Sequence, residues 1–481
     1  MELQEKTLGQ CFREACRRNP ERLAAVDSAR KYTYEELKGC VDALAGSFLA
    51  HGFSHGSHIG IFCGNRADAL IAYFAVWSIG AVLVPLNRLF TERELRECIQ
   101  RADIELLISD SALDPGIPVW QMDDLPAGSV PETVLREAQA LVQPQDTDTI
   151  LFTSGTLAVP KPVMSTHYAR VNIAFMQAET LRLTEDDRVL SVLPMFHCFG
   201  LTATVLPTIL AGACLCCPAD THSYHILDMI EQYRCTVFTA VPALFLAVMR
   251  RQAAEPRDIS SLRKGYVGGS TYSEDFLEQA EHCLGMVVLP SLGQTEATAG
   301  VTTASLDDPF EVRANTIGHV FPHIEYRIRD GELCLRGWSV MQGYYGMPEE
   351  TAAVIDRDGW LYTGDLVHEE GDSLVYDGRK RELIIRGGEN ISPLELETVL
   401  LGDPRIRECK VTGIHDPHYS EIVCACIVPQ DTLTEEDVIA VLKDKVALYK
   451  LPQKILFLKE LPKTSTGKVD LQALKAWIEK Q

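Results

Sequence analysis

The chain has 481 residues, 46% of them hydrophobic and 23% charged, which is ample for a large and a small globular unit and excludes a disordered or fibrous protein. Its 67 Asp and Glu outnumber 45 Lys and Arg, and the net charge of −22 excludes a broad electrostatic attraction to nucleic acid or anionic lipid. Any anionic ligand must be held by a local site.

The N-terminal Met1-Glu2-Leu3-Gln4-Glu5-Lys6 carries charges where a secretory signal needs an apolar segment. Thr33-Tyr34-Glu35-Glu36 reads as a capping box opening a helix through Leu37, Val41, Leu44 and Phe48. His58 to Cys63 is strand-like, Ala67 to Ile79 helical and apolar, Gly80 a stop, and Ala81 to Pro85 another buried strand. The histidines His51, His55 and His58 fall in a Gly/Ser turn without cysteine partners and read as solvated side chains. A helix is expected around Tyr168 to Leu181, with strands at Val189 to Leu193 and Thr236 to Val241. This alternation points to parallel sheets covered by helices, with function gathered at strand ends. The uncharged run Val189 to Ala219 is broken by Pro194 and Pro207 and reads as core, not as a membrane span.

Beyond Gly331 the character changes. Glu332 to Leu335, Leu374 to Tyr376 and Leu383 to Ile385 are short strands broken by Gly and charged turns, and Asp377 to Glu382 suits a linker. Pro393 to Leu401, Glu408 to Ile414, Ile422 to Val428, Glu435 to Leu448 and Ile455 to Leu458 suggest a compact α+β unit, with Thr434 capping its helix three residues before Asp437. The expected fold is α/β. A large multi-sheet N-terminal domain (1–378) with a small β-rich region is joined by a hinge (379–382) to a small mobile α+β domain (383–481). The fifteen cysteines are odd in number, lack paired Cys-x-x-Cys motifs and lie singly or in apolar runs such as Cys214-Leu215-Cys216-Cys217. They read as reduced thiols of a cytoplasmic protein, not as a zinc site.

At Ile150 to Pro162 an apolar run passes into Thr153, Ser154, Gly155 and Thr156, with Lys161 following. Hydroxyls, a glycine that lets backbone N–H groups approach an anion, and a lysine are what a phosphate cradle needs, although an ordinary polar turn has the same composition. It does not match the Gly-x4-Gly-Lys-Ser/Thr pattern. His197 sits in a Gly/Pro turn, Thr295 and Glu296 follow the apolar strand Met286 to Pro290, Asp365 follows a tight turn, Arg379 lies at the linker, and Lys468 closes a Gly/Ser/Thr-rich stretch. Taken singly, each also fits a satisfied core histidine or a solvated surface charge.

In their order these features resemble the adenylate-forming superfamily of acyl-CoA synthetases, stand-alone adenylation domains and firefly-type luciferases. The resemblance rests on Thr153 to Pro162, Leu292 to Glu296, Leu361 to Asp365, Gly378 to Glu382 and Pro462 to Lys468, and covers essentially the whole chain. It implies that a carboxylate attacks the α-phosphorus of ATP and that a thiol then displaces AMP from the acyl-adenylate. It implies Lys468 at the transition state, Glu296 on Mg²⁺, Thr153, Ser154, Gly155, Thr156, Lys161 and Thr295 on the phosphates, and Asp365 with Arg379 on the ribose. His197 joins the catalytic set, and rotation about Arg381 would exchange Lys468 for Gly387, Gly388 and Glu389 in the thiol step. The acyl pocket is expected from His197, Phe199, Gly268, Gly269, Ser270, Thr271, Ala297 and Thr298, and the nucleotide end of coenzyme A from Arg88, Tyr419, Tyr449 and Lys454.

The form Gly387-Gly388-Glu389-Asn390-Ile391 resembles the CoA ligases more than amino-acid-activating domains, and no Phe-Asp pair awaits a substrate amine near His197. An acid without an α-amine is favoured, and because the expected acyl-pocket residues are small or apolar with little charge, an aromatic or aliphatic acid, not an amino acid or a dicarboxylate, is expected, with ATP, Mg²⁺ and coenzyme A. The rival readings are loading of a carrier protein's phosphopantetheine and a non-catalytic adenylate-binding paralogue; a luciferase-like oxygenase ranks below both. Oligomeric state stays open between monomer and homodimer. Leu157, Ala158 and Pro162 replace the family's Thr, Gly and Gly, and Leu292 replaces an adenine-stacking ring worth about 1 kcal/mol.

Overall fold

The computed structural model describes residues 2–480 except 127, 154–159, 270–271, 273, 380–382 and 463–468, and at 378, 379, 394 and 472 the backbone alone. The chain divides into two compact units. One comprises Met1–Arg88, Cys98–Phe152 and Pro162–Lys380; the other comprises Leu89–Glu97, Thr153–Lys161 and Arg381–Gln481.

Thr33 opens the helix Tyr34–Ala50 as its sequence demands. The Thr33 hydroxyl accepts from the Glu36 N–H and the Glu36 carboxylate accepts from the Thr33 N–H at 2.8 Å, while Leu37, Val41, Leu44 and Phe48 are buried. Such a cap stabilises by about 1 kcal/mol. The following helix, Ala69–Ser78, is buried on every face. That explains its lack of a polar stripe.

A seven-stranded sheet runs in the order Gly343–Tyr344, Lys161–Thr166, Thr147–Thr153, Val82–Pro85, His58–Phe62, Leu106–Ser109 and Val119–Gln121. The pairings from Thr147–Thr153 across to Val119–Gln121 are parallel. Val82–Pro85 and Leu106–Ser109 are buried at every residue, which is why they read as continuous apolar runs. In a second sheet Leu23–Val26, Cys214–Cys216 and Arg188–Leu190 pair in parallel, as do Lys264–Gly268 and Val287–Gly293.

The expected strand Thr236 to Val241 forms only isolated bridges, Val237 to Val189 and Lys264 and Ala240 to Val267. Its threonines explain the shortfall. The Thr236 hydroxyl accepts from the Arg188 N–H at 3.0 Å and the Thr239 hydroxyl from the Tyr266 N–H at 3.2 Å, so side-chain oxygens take bonds that a ladder would use.

The β-rich region is a third, antiparallel sheet of Ile324–Arg329, Glu332–Gly337, Leu361–Glu370 and Ser373–Arg379. Asp377 to Arg379, read as linker, instead complete its last strand. The segment at Leu383 to Ile385 contributes Ile384–Arg386 to the second unit, whose sheet runs Glu389–Ile391, Ile384–Arg386, Ser420–Pro429 and Ile406–Asp416, with Lys454–Phe457 beside Ser420–Pro429. The Thr434–Asp437 box is present, the shorter acid still reaching the Thr434 N–H at 3.0 Å.

All fifteen cysteines are free, and Cys283 is the exposed one. Of the three histidines expected to be solvated, His51 and His55 are exposed and His58 is half-buried, and each also has a local partner: His51 the Ser47 carbonyl, His55 Asp146 at 2.8 Å and His58 the Ala102 carbonyl. Among the described residues no helix is long and apolar enough to cross a membrane.

His167 is fully buried. Its Nδ1 accepts from the Leu8 N–H at 3.3 Å, and its Nε2 has no partner among the described residues. Burial, opposed by the Asp148 and Asp146 carboxylates, pushes its pKa from 6.5 down to about 4. As pH falls, the unfolded chain therefore takes up this proton before the folded chain does. The contribution is intact above about pH 6.5 and is lost as pH falls toward 4, by about 3 kcal/mol in full. Urea titrations of wild type and His167→Phe across that window are expected to show a shallower loss in the variant; equal slopes would show that His167 does not carry it.

Candidate active site

The strand Thr147–Thr153 delivers Thr153 at its C-terminal end, and the Thr153 hydroxyl is buried without a hydrogen-bond partner among the described residues. An orphaned buried hydroxyl costs about 1–3 kcal/mol, so its position fits a group made to meet an anion. Lys161 is a buried first residue of the strand Lys161–Thr166. Ser154, Gly155, Thr156, Leu157 and Ala158 lie outside the described residues.

The turn after Pro194 is shaped by Gly200. A Cβ there would lie 2.0 Å from the Pro194 carbonyl oxygen, so only glycine lets the chain fold back into the short helix Cys198–Gly200. His197 caps that helix from an extended backbone. Cys198, the first residue of that helix, is buried, and the Thr295 hydroxyl donates to its sulfur at 3.6 Å. Burial raises the Cys198 pKa, but hydrogen bonding and charge from His197, with the Thr295 bond, outweigh it and leave the thiol below its ordinary value. The His197 turn and the Thr295 turn are thus one assembly.

Glu296 follows on the 3-10 turn Thr295–Ala297. Its Oε1 accepts from the Tyr344 hydroxyl at 2.9 Å, and its carbonyl accepts from the Met341 N–H at 2.9 Å. One carboxylate oxygen is held and the other takes no hydrogen bond among the described residues, a fit for a hard cation. Thr298, buried at φ +72, is a β-branched residue in the left-handed region, and its hydroxyl donates to the Ser339 carbonyl at 2.7 Å. Such a backbone costs about 1–3 kcal/mol and is kept only where the surroundings over-determine it.

The expected acyl pocket combines the polar His197 and Thr298 with small and apolar residues in its described part. Phe199 packs against both the Phe238–Phe245 and the Tyr266 core clusters, and its ring lies 3.3 Å from where a Cβ on Gly268 would stand. Gly269 turns the chain at φ +82, and Ala297 is fully buried. Ser270 and Thr271 lie outside the described residues.

Asp365 is 2% exposed in the strand Leu361–Glu370, reached through Gly364 at φ +75, whose N–H donates to Glu332 at 2.9 Å. Its backbone partner across the sheet is Arg379. Fourteen residues apart in sequence, the two ribose candidates are opposite one another in register.

In the second unit Gly387 and Gly388, at φ +57 and +88, form the two-residue turn between Ile384–Arg386 and Glu389–Ile391, with Arg386 paired to Glu389. Two consecutive positive φ values define the type I′ hairpin that favours Gly-Gly. The glycines thus have a structural cause of their own. Arg386 was not singled out by its sequence, yet its guanidinium donates to the Tyr449 carbonyl at 2.6 Å and stands 4.8 Å from the Tyr419 ring centroid. It joins two residues expected at the coenzyme A end; a cation just before a Gly-Gly turn was the available signal. Lys454 begins the strand Lys454–Phe457. In the first unit Arg88 is half exposed, its Nε donating to Asp110 at 3.2 Å. Arg381 and Lys468 lie outside the described residues.

The family model described as AMP-binding enzyme matches residues 12–345, and that of the AMP-binding enzyme C-terminal domain matches 395–468. The putative acyl-CoA synthetase YngI of Bacillus subtilis (strain 168) is 30% identical, covering 98% of this chain and 97% of its own. The indoleacetate–CoA ligase of Aromatoleum aromaticum is 31% identical, covering 94% of each. The o-succinylbenzoate CoA synthetase of Bacillus subtilis, solved with its product analogue, superposes with a TM-score of 0.88 at 27% identity, over 98% of this chain and 99% of that one. With matches spanning both units, the chain belongs to the AMP-binding enzyme family and is an AMP-forming acid–thiol ligase of the acyl-CoA synthetase kind.

Proposed function

We propose that the chain converts an aromatic or aliphatic carboxylic acid to its coenzyme A thioester through an acyl-adenylate, with coenzyme A and not a carrier protein as acceptor. In the first half-reaction a carboxylate oxygen bonds to the α-phosphorus of ATP, and the bond from that phosphorus to the pyrophosphate oxygen breaks. Two anions meet, so fixed positive charge must face the developing phosphorane. Lys468 supplies it, with Lys161 and the Thr153 to Thr156 and Thr295 hydroxyls on the phosphates. Asp365 and Arg379 take the ribose hydroxyls. Glu296, oriented by Tyr344, would hold Mg²⁺, which would supply charge neutralisation at the phosphates. His197 stands at the acyl end.

In the second half-reaction the coenzyme A sulfur bonds to the acyl carbon, AMP leaves with the bonding pair, and the thiol proton passes to solvent. Rotation about Arg381 brings the Gly387-Gly388-Glu389 hairpin to this step, while Arg88, Tyr419, Tyr449 and Lys454 receive the nucleotide end. Its thirteen buried free thiols suit a reducing cytoplasm.

The lining carries the choice of acid. Among the described residues of the lining, Phe199 on Gly268 and Ala297 behind Glu296 are uncharged and give a second carboxylate or an α-amine no ionic partner of their own. An unpaired buried charge is strongly disfavoured, so dicarboxylates and amino acids are rejected. Indoleacetate, named for the Aromatoleum ligase, is an acid of the favoured kind. The test is pyrophosphate release and thioester formation with ATP, Mg²⁺ and coenzyme A over benzoates, cinnamates, indoleacetate, fatty acids, malonate and amino acids, with a phosphopantetheinylated carrier protein as second acceptor. Turnover with an aromatic or aliphatic acid and coenzyme A is expected. Exchange driven by an amino acid alone, transfer to the carrier alone, or no adenylation at all would overturn it.

A further inference from the structure

Three ligand-bearing side chains, none of them assigned to the candidate active site, converge at the entry to the helix Ser223–Tyr233. We propose that Asp220, His222 and His225 form a surface site for one divalent cation of the zinc class.

The Nδ1 atoms of His222 and His225 lie 2.9 and 2.8 Å from the same oxygen, Asp220 Oδ1, and one ligand atom from each of the three residues falls within 4.8 Å of the others. Around zinc, N and O ligands at about 2.0–2.2 Å stand roughly 3.3–3.5 Å apart in a tetrahedron, so small side-chain shifts open the space for an ion. It is the one such cluster among the described residues.

Local structure holds the three in place. Asp220 Oδ1 also accepts from the His222 N–H at 2.8 Å, which fixes the carboxylate against its own turn. His222 is the extended N-cap, and His225 lies in the first turn of the helix, so the spacing Asp-x-His-x-x-His folds both rings toward the acid. The Tyr224 ring centroid is 4.1 Å from that of His225, limiting its freedom. With side-chain exposures of 41, 69 and 33%, the site is open to solvent, and water completes the coordination.

Two imidazoles and one carboxylate suit Zn²⁺, Ni²⁺ or Cu²⁺, whereas Mg²⁺ and Ca²⁺ prefer all-oxygen shells. Each Nδ1 that now faces the carboxylate gives its lone pair to the ion, and the ring proton resides on the solvent-facing Nε2. The positive end of the helix opposes a cation in this first turn, but solvent and salt screen it at an exposed site. A three-ligand chelate outweighs it.

The test uses the full-length protein without an affinity tag, stripped with a chelator and titrated with Zn²⁺ against a chromophoric competitor. Wild type is expected to retain one equivalent. Asp220→Asn should weaken binding about tenfold, and His222→Ala/His225→Ala should abolish it, with melting curves confirming that the variants fold. Because fifteen cysteines are present, Co²⁺ is substituted and its spectrum read on wild type: d–d bands without thiolate charge transfer are expected. Excess Mg²⁺ should not displace the ion. No retained equivalent in wild type, full retention in the double variant, a thiolate band, or displacement by Mg²⁺ would each overturn the proposal.

Discussion

Replacing Arg170 with leucine is expected to lower stability by about 3–5 kcal/mol, read as a large fall in the urea midpoint, because it strands a buried carboxylate. Asp148 and Arg170 are 0 and 1% exposed at the side chain, with Nε 2.5 Å from Oδ2. Further hydrogen bonds extend the pair: Arg170 donates to the Thr202 hydroxyl at 2.5 Å and to the Ser165 hydroxyl, while Asp148 accepts from Thr149 at 2.7 Å and Ser165 at 3.2 Å. The pair joins the strand that ends at Thr153, the helix His167–Thr180 and the segment following His197. Two of the regions that position the site are thus tied to one buried network. Asp148→Asn/Arg170→Leu is expected to cost much less than the sum of the single changes, since it removes both charges. A loss under about 1 kcal/mol for Arg170→Leu would show that the network contributes little.

This network was not legible in the sequence. Asp148 and Arg170 stand 22 residues apart on elements of different type, and nothing local marks either as buried. The capping boxes at Thr33 and Thr434, by contrast, close within three residues, and sequence spacing alone shows them. Asp365 and Arg379 are intermediate. Their residue types were readable, but the register that sets them opposite depends on where the intervening hairpin turns, and the supposed linker proved to be strand through Arg379. Thr236 to Val241 has strand composition yet makes only isolated bridges, because hydroxyls compete for the ladder. Cys198 and Tyr344 gained their places beside Thr295 and Glu296 only through long-range packing, so no spacing rule could flag them.

Lys468→Ala is expected to slow adenylation by at least about 10²–10³-fold while leaving thioester formation from a supplied acyl-adenylate near its normal rate. The lysine's role is the one the family resemblance implies, and the described residues on either side of 463–468 are joined to one another. The Asp470 N–H donates to the Pro462 carbonyl at 2.8 Å, and the Asp470 carboxylate caps the helix Leu471–Ile478 by accepting from the Ala473 N–H at 3.0 Å. Gly388→Val should give the reverse pattern. At φ +88 a β-branched residue strains the type I′ turn, so the Glu389 hairpin is displaced and the thiol step slows while adenylation persists. Rapid-quench assays of each half-reaction in both variants separate these outcomes. If Lys468→Ala keeps its full adenylation rate, the positive charge comes from another residue; if both variants lose both half-reactions equally, the two steps do not use different faces of the second unit.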